Sequence, residues 1–326
     1  MVNLVLCVEA YVYDMPCFSP LTAWRPKSNT DCKKLVFNPK YAEQPDDPLQ
    51  ISCGQCKGCR LERSRQWAVR CLHESQMHAE NTFITLTFSE EHIVNRDVNR
   101  DDLDVSEFQK FMKRLRKHFE PKKIRFFHCG EYGDKSGRPH YHAILFGLEF
   151  PDKELWKESP TGERYYVSET LNKLWGFGYC VIGDVTFESA AYVARYIMKK
   201  VNGKDAEEHY RRLVVDDVTG EVIGERYLKP EYTTMSRRPG IGKDWFDKYK
   251  TDVYPSDFIT VNGKKVTPPK YYDKLLEIED PFLLQDLKAK RAETAMSHAE
   301  DNTPERLMAR AAVFGRRIEK LVRNIE

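Results

Sequence analysis

Residues 124–146 read IRFFHCGEYGDKSGRPHYHAILF, and this stretch decides the fold. Ile124 to Cys129 and His140 to Phe146 are apolar, aromatic-rich runs of strand length. Between them lies Gly130-Glu131-Tyr132-Gly133-Asp134-Lys135-Ser136-Gly137, a glycine-rich segment suited to a hairpin, so the two strands are expected to run antiparallel. Upstream, Thr82-Phe83-Ile84-Thr85-Leu86-Thr87-Phe88 alternates threonines with apolar residues and predicts a half-buried strand, closed by a polar turn at Ser89. Val105 to Phe119 carries Phe108, Phe111, Met112 and Leu115 at helical spacing. Lys110, Lys113, Arg114, Arg116 and Lys117 crowd the rest of its surface, which makes it a basic amphipathic helix. A further helix is expected over Ser189 to Lys200. This order predicts an α+β fold, an antiparallel β-sheet with flanking helices that cover one face.

Working outward, 326 residues suffice for one large core or two modest ones, and a hydrophobic fraction of 41% is that of a folded chain. A formal charge of +2 excludes a uniformly basic nucleic-acid binder, while 31% charged residues allow strong local asymmetry. Met1 to Met15 has no basic leader and contains Glu9 and Asp14, which argues against a signal peptide. No apolar stretch is long enough to span a membrane. Composition shifts near residues 75 and 202 divide the chain into three segments. Residues 1–75 form a proline- and cysteine-rich N-terminal region ending in a helix from Leu61 to about His78. Residues 76–202 hold the sheet. Residues 203–326 are polar and end in helical patterns around Pro281 to His298 and Pro304 to Ile325. There Arg306, Arg310, Arg316, Arg317, Lys320 and Arg323 suit either a phosphate track or a solvated face.

The strand period of two puts His140 and His142 on one face and Tyr141 on the other. Two converging imidazoles fit a metal site or a structural pair. Glu131, at the end of the partner strand, either completes a two-histidine, one-carboxylate site with open positions or is a solvated loop residue. His128 reads as a packed strand residue. Tyr192 and Tyr196 fall one helical turn apart, with Cβ atoms roughly 5–6 Å from each other, so two phenols serve one phosphate or pack in a core. Lys199 is positioned near Tyr196 to hold negative charge, and Arg195 near Tyr192. Nine cysteines, with Cys53, Cys56 and Cys59 crowded together, suit a reducing compartment better than a disulfide framework. With Cys17 as fourth ligand, and Cys32 or Cys7 behind it, the triplet suits a structural Zn²⁺; part of an iron–sulfur run and unliganded buried thiols are the alternatives. Lys122, Lys123 and Arg125 add to the basic helix as a DNA-holding surface, for which a solvated face is again the alternative.

Together these residues resemble the HUH endonucleases, and within them the replication initiation proteins of small single-stranded DNA phages of the gokushovirus branch of the Microviridae. Phe83-Ile84-Thr85-Leu86-Thr87-Phe88 is similar to the family's first motif, His140-Tyr141-His142 to its HUH motif, and Tyr192 with Tyr196 and Lys199 to its tyrosine motif. Glu131 stands where related initiators keep a third metal ligand. The similarity extends to Cys53-Gly54-Gln55-Cys56-Lys57-Gly58-Cys59-Arg60 and to Arg238-Pro239-Gly240-Ile241-Gly242. It also places the usual start at Met15, leaving the first fourteen residues as an extension or a misplaced start.

The resemblance implies an RRM-like core and a Mg²⁺ or Mn²⁺ ion held by His140, His142 and Glu131. It implies attack by Tyr196 or Tyr192, helped by Lys199, on a single-stranded DNA origin, leaving a 5′-phosphotyrosine and a free 3′-OH, with later religation of the circle. A host helicase and DNA polymerase are the expected partners, and the host bacterial cytoplasm the expected location. Relaxases and single-strand transposases share the chemistry, although relaxases often carry their tyrosines near the N-terminus. A non-catalytic origin-binding protein with a structural zinc is the alternative of a different class. A two-histidine, one-carboxylate iron oxygenase would have no use for paired tyrosines.

Overall fold

The computed structural model describes residues 17–28, 34–95, 102–133, 136–160, 162–195, 200–201, 203, 205–216 and 218–319. The expected start at Met15 and the alternative ligands Cys7 and Cys32 lie outside the described residues. In chain order, β1 (Leu21–Ala23) and β2 (Leu49–Ile51) precede α1 (Lys57–Ser75). Then come β3 (Asn81–Leu86), α2 (Glu90–Val94), α3 (Val105–His118), β4 (Arg125–Tyr132) and β5 (Pro139–Phe146). The β6 (Glu154–Glu158) and β7 (Arg164–Val167) hairpin, α4 (Glu169–Trp175), β8 (Cys180–Gly183) and α5 (Phe187–Arg195) follow. Beyond them are α6 (Ala206–Tyr210), β9 (Arg211–Val215), β10 (Val222–Tyr227), β11 (Tyr232–Met235) and α7 (Lys243–Val253). The chain continues through β12 (Ile259–Val261), β13 (Lys264–Val266), α8 (Lys270–Glu279), α9 (Pro281–Ser297) and α10 (Pro304–Glu319).

The chain forms two compact units rather than three consecutive segments: 64–259 with 268–275, and 1–63 with 260–267 and 276–326. The second is assembled from both ends of the chain, with Phe18 packing on Phe314 of α10 at 5.5 Å between ring centroids. Such long-range assembly leaves no mark on local composition.

The first unit is built on a seven-stranded antiparallel sheet of order β11-β4-β5-β3-β8-β7-β6. Pairing of β4 with β5 sets Glu131 opposite His140 and Cys129 opposite His142, and pairing of β3 with β5 sets Thr85 opposite His142. Alternation along the strands then sorts side chains between two faces. Ile84, Leu86, Tyr141, Ala143 and Leu145 join a core with Phe108, Phe111, Met112 and Leu115 of α3 and Trp175 of α4. Burying those four α3 residues contributes about 6–12 kcal/mol before chain entropy is subtracted. Asp104 caps α3 by accepting from the Ser106 amide at 2.9 Å.

Helices cover the opposite face too, which departs from the one-sided arrangement expected from sequence. Trp67 of α1 stacks on Phe127 at 5.0 Å, and Tyr192 of α5 meets Phe83 edge-on at 6.3 Å. The physical reason is visible in Ala143-Ile144-Leu145-Phe146, an unbroken apolar run in which every residue is fully buried. The Arg238-Pro239-Gly240-Ile241-Gly242 segment docks onto α1: Arg70 Nε donates to Ile241 O at 3.0 Å, and the Gly242 amide donates to Glu74 at 2.7 Å. Glu74 is buried and also bonds Arg125, and despite its burial these partners hold its carboxyl below the usual range. No described helix is long and apolar enough to cross a membrane.

Candidate active site

His142 sits in the middle of β5 on the face opposite the α3 core, between two partners that fix its ring. Its Nδ1 lies 2.9 Å from Thr85 Oγ1 on β3, and its Nε2 lies 2.7 Å from Glu131 Oε1 on β4. His142 and Glu131 are each only 4% exposed, so this contact is made out of bulk water. An imidazole nitrogen and a carboxylate oxygen at that distance need a proton or a cation between them. Without an ion, Nε2–H donates to Glu131 and the Thr85 hydroxyl donates to Nδ1. With an ion held at Nε2, the proton moves to Nδ1 and Thr85 accepts it.

His140 is half-buried one strand period away, directly opposite Glu131 in register. Its Nδ1 lies 2.8 Å from the Arg138 carbonyl. A carbonyl only accepts, so Nδ1 carries the proton and Nε2 keeps its lone pair as a ligand. The hairpin that brings Glu131 to His140 closes through Gly133 N to Arg138 O at 2.9 Å and Gly137 N to Gly133 O at 2.9 Å. Gly137 has φ +65°, the conformation this turn requires.

Tyr192 approaches the same face from α5. Its half-buried ring stands edge-on to the His142 ring at 5.3 Å and 88°. The Arg195 guanidinium lies 5.9 Å from the Tyr192 ring centroid. Tyr196 and Lys199 lie outside the described residues. His128 points the other way, stacked on Phe108 at 3.4 Å and bonded to Thr234 Oγ1 at 2.9 Å. Complete burial, and then the field of His142, hold it well below the usual histidine pKa. It is a packing residue.

The basic helix α3 packs against the sheet face opposite the histidines. Arg114 donates to the carbonyls of Leu174 at 2.8 Å and Trp175 at 3.0 Å, and Arg116 to that of Ile124 at 3.1 Å. Both guanidinium groups therefore serve the fold, while Lys110, Lys113 and Lys117 are exposed. Of the neighbouring cations, Lys122 pairs with Glu80 at 2.6 Å and Arg125 with Glu74. In the C-terminal unit, Arg306 and Arg310 share Asp301, at 3.0 and 3.8 Å.

Cys17, Cys53, Cys56 and Cys59 come together with all four sulfurs within 4.8 Å of one another. Among the described residues they are the one group of histidine, cysteine and acidic side chains that closes to this degree. Burial alone would raise Cys56, but amide donors from Cys59 and Phe18 and the neighbouring thiols bring it down to about 7.

Thr85 stands inside a recognisable strand motif, yet its role is not local; only the β3–β5 register reveals that its hydroxyl orients His142. The Arg138 carbonyl gives no sequence signal either, because any residue supplies one.

A family model described as replication-associated protein ORF2 matches residues 81–201, the span from β3 through the tyrosine segment. The chain is 34% identical over 278 residues to the replication-associated protein ORF2 of Spiroplasma virus 4, covering 82% of this chain and 80% of that relative. It is 31% identical over 265 residues to the replication-associated protein VP4 of Bdellovibrio phage phiMH2K, covering 78% and 76%. With the replication-associated protein ORF4 of Chlamydia phage 1 it shares 32% identity over 242 residues, 72% of this chain and 56% of that relative. No solved structure is a significant match.

Proposed function

The chain belongs to the family of phage replication-associated proteins, and from that premise we propose that it starts rolling-circle replication by nicking a single-stranded origin with a tyrosine hydroxyl. The observation that carries this reading is the buried His142–Glu131 pair with the Tyr192 ring edge-on beside it. Two imidazoles and one carboxylate on one strand face, two of them already needing a cation or proton between them, fit a divalent ion. His140, His142 and Glu131 would hold Mg²⁺ or Mn²⁺, with Mn²⁺ better matched to imidazole nitrogen. Such an ion supplies Lewis-acid polarisation of the scissile phosphate.

The protein groups perform the rest. Oη of Tyr192 or Tyr196 attacks phosphorus in line; the Oη–P bond forms, the bond from phosphorus to the 3′ oxygen breaks, and the phenolic proton is lost as the leaving oxygen becomes a 3′-OH. An unperturbed tyrosine has a pKa near 10 and is mostly neutral at pH 7, so attack needs positive charge nearby, which Lys199 and Arg195 supply. The 3′-OH primes synthesis by a host polymerase behind a host helicase, in the cytoplasm of the infected bacterium. The ester conserves the phosphodiester bond energy without a nucleotide cofactor. A second tyrosine then cuts the regenerated origin while the new 3′-OH attacks the first ester and closes the circle.

The test is cleavage of a labelled single-stranded origin oligonucleotide with Mn²⁺, comparing wild type with Tyr192→Phe, Tyr196→Phe and the double variant on a denaturing gel. A protein–DNA band that survives either single change and disappears in the double identifies two interchangeable nucleophiles. Full-rate cutting by the double variant, or no covalent adduct from wild type on any origin strand, overturns the proposal in favour of a non-catalytic origin-binding protein.

A further inference from the structure

The cysteine cluster shares no residue with the nicking site. Cys17 precedes β1, Cys53 and Cys56 lie in the loop after β2, and Cys59 is in the first turn of α1. The spacing Cys56–Cys17 is 3.9 Å and Cys53–Cys59 is 4.0 Å between sulfurs. A single tetrahedral ion with metal–sulfur bonds near 2.3 Å holds its sulfurs about 3.8 Å apart. Disulfide bonding requires sulfurs about 2.05 Å apart, and all four cysteines are free. Clusters of several irons would spread the thiolates more widely than one ion does.

Backbone amides point at the sulfurs. Cys53 N donates to Cys17 at 3.2 Å, Phe18 N to Cys56 at 3.3 Å, Cys56 N to Cys53 at 3.2 Å, Gln55 N to Cys53 at 3.4 Å, and Cys59 N to Cys56 at 3.5 Å. A neutral thiol is a weak acceptor, whereas a ring of amide donors suits metal-bound thiolates. The unit that carries the cluster also has a modest core, with Ala23, Ala42, Leu61, Leu284, Leu307 and Phe314 among its buried residues. Small cores of this kind commonly need a metal or a cross-link.

We propose that Cys17, Cys53, Cys56 and Cys59 bind one structural Zn²⁺, which clips the segment before β1 to the start of α1 and so seats Phe18 against Phe314 of α10. The ion joins parts of the chain that are far apart in sequence, and the β1–β2 ladder, with Leu21 opposite Ile51, lies between its two arms. Because Phe18 donates its amide to a ligand sulfur and packs its ring on α10, loss of the ion loosens the C-terminal helix as well.

The experiment measures metal content of the purified full-length protein by mass spectrometry, in wild type, Cys17→Ser, Cys59→Ser and, as a control, the buried Cys71→Ser outside the cluster. One zinc per chain in wild type and Cys71→Ser, with trace amounts in the other two, supports the site. Should the cluster variants fail to fold, Co²⁺ exchange into wild type gives the second readout. Thiolate charge-transfer bands with tetrahedral d–d absorption support the proposal, and octahedral spectra overturn it. Stoichiometric iron with visible colour in the native protein overturns the assignment to zinc. Zinc content unchanged in Cys17→Ser and Cys59→Ser overturns the ligand set. Chelation of the wild-type ion is expected to open residues 304–319 to limited proteolysis, and an unchanged digest after complete zinc removal overturns the link to α10.

Discussion

Replacing Thr85 by valine isolates one hydrogen bond at the proposed metal site. The two side chains have nearly the same shape, and Thr85 is only half-buried, so packing is largely kept. What disappears is the 2.9 Å hydrogen bond to His142 Nδ1, made by a hydroxyl able to serve either tautomer of that ring. A neutral bond of this kind stabilises a fold by about 0.5–1.5 kcal/mol. Its effect on an ion is larger, because an unanchored imidazole must be reoriented with its proton on Nδ1 each time it binds. Removing such an outer partner typically costs about 10–100-fold in metal affinity, or roughly 1.4–2.7 kcal/mol. The assay is single-turnover cleavage of a labelled origin oligonucleotide across a Mn²⁺ titration. The half-maximal Mn²⁺ concentration is expected to rise by about one to two orders of magnitude, with the saturating rate within a few fold of wild type. Thr85→Ser, which keeps the hydroxyl, should titrate near wild type. A folded Thr85→Val protein with an unchanged Mn²⁺ midpoint would refute the claim that His142 is a ligand oriented through Nδ1.

His73 stacks on Trp245 at 3.5 Å and bonds Tyr272 Oη at 2.8 Å, and burial lowers its pKa to about 3. Its folded pKa is below its unfolded value of about 6.5, so its contribution is present above that pH and is lost on acidification, by about 1.4 kcal/mol at pH 5.5. Melting temperature measured at pH 7.5 and 5.5 should fall less in His73→Gln than in wild type; an equal fall refutes the assignment. Gly242 has φ +79°, and a Cβ there would stand 2.8 Å from Tyr272 Oη and 3.3 Å from the Arg70 carbonyl, so Gly242→Ala should cost about 1–3 kcal/mol in a denaturant melt. Replacing Lys110, Lys113 and Lys117 by alanine should lower the log–log salt slope of single-stranded DNA binding by about 0.7 for each phosphate that is no longer neutralised, without changing stability. Arg114→Ala should behave the opposite way, losing stability because α4 is left with two uncapped carbonyls. Equal effects of both changes on DNA binding would show that the division is wrong.

The strands nearest the histidines were legible because their sequence combines an apolar run, a glycine-rich turn and a second apolar run, and no other short-range pattern fits it. The expected limits of Val105–Phe119 and His140–Phe146 differ from the observed α3 and β5 by one residue each. The helix expected over Ser189–Lys200 is described as Phe187–Arg195, its later residues being outside the described set. Far less of the rest could be read. Every residue of β6 is exposed, so Glu154–Glu158 shows no buried face to give a period. The Tyr232–Met235 strand extends the sheet beside β4 from within a stretch punctuated by glycine and proline, and only the tertiary pairing makes it a strand. Cys17 reaches the other three cysteines through the β1–β2 pairing, a meeting of segments more than twenty residues apart that no local rule announces. The role of Thr85 belongs to the same class, since register is a property of two strands.

Register is also what joins the folding core to the chemistry. Tyr141 lies between the two histidines in sequence and on the other face of the sheet, where its hydroxyl donates to Glu107 at 2.5 Å and accepts from the Asp104 amide at 3.0 Å. Those contacts tie β5 to the first turn of α3, while the Gly133–Gly137 turn fixes where β5 begins against β4. Because strand side chains alternate, a slip of one residue would carry Tyr141 onto the His142–Glu131 face and bury both histidines in the aromatic core around Trp175. Removing polar imidazoles from Glu131 and Thr85 into that core would leave several buried groups unpaired, each at a cost of about 1–3 kcal/mol. The hydrophobic face and the polar face therefore select the same register. The geometry at His142 is thus inherited from packing on the far side of the sheet, and substitutions at Tyr141 or Asp104 can reach it without touching any residue of the site.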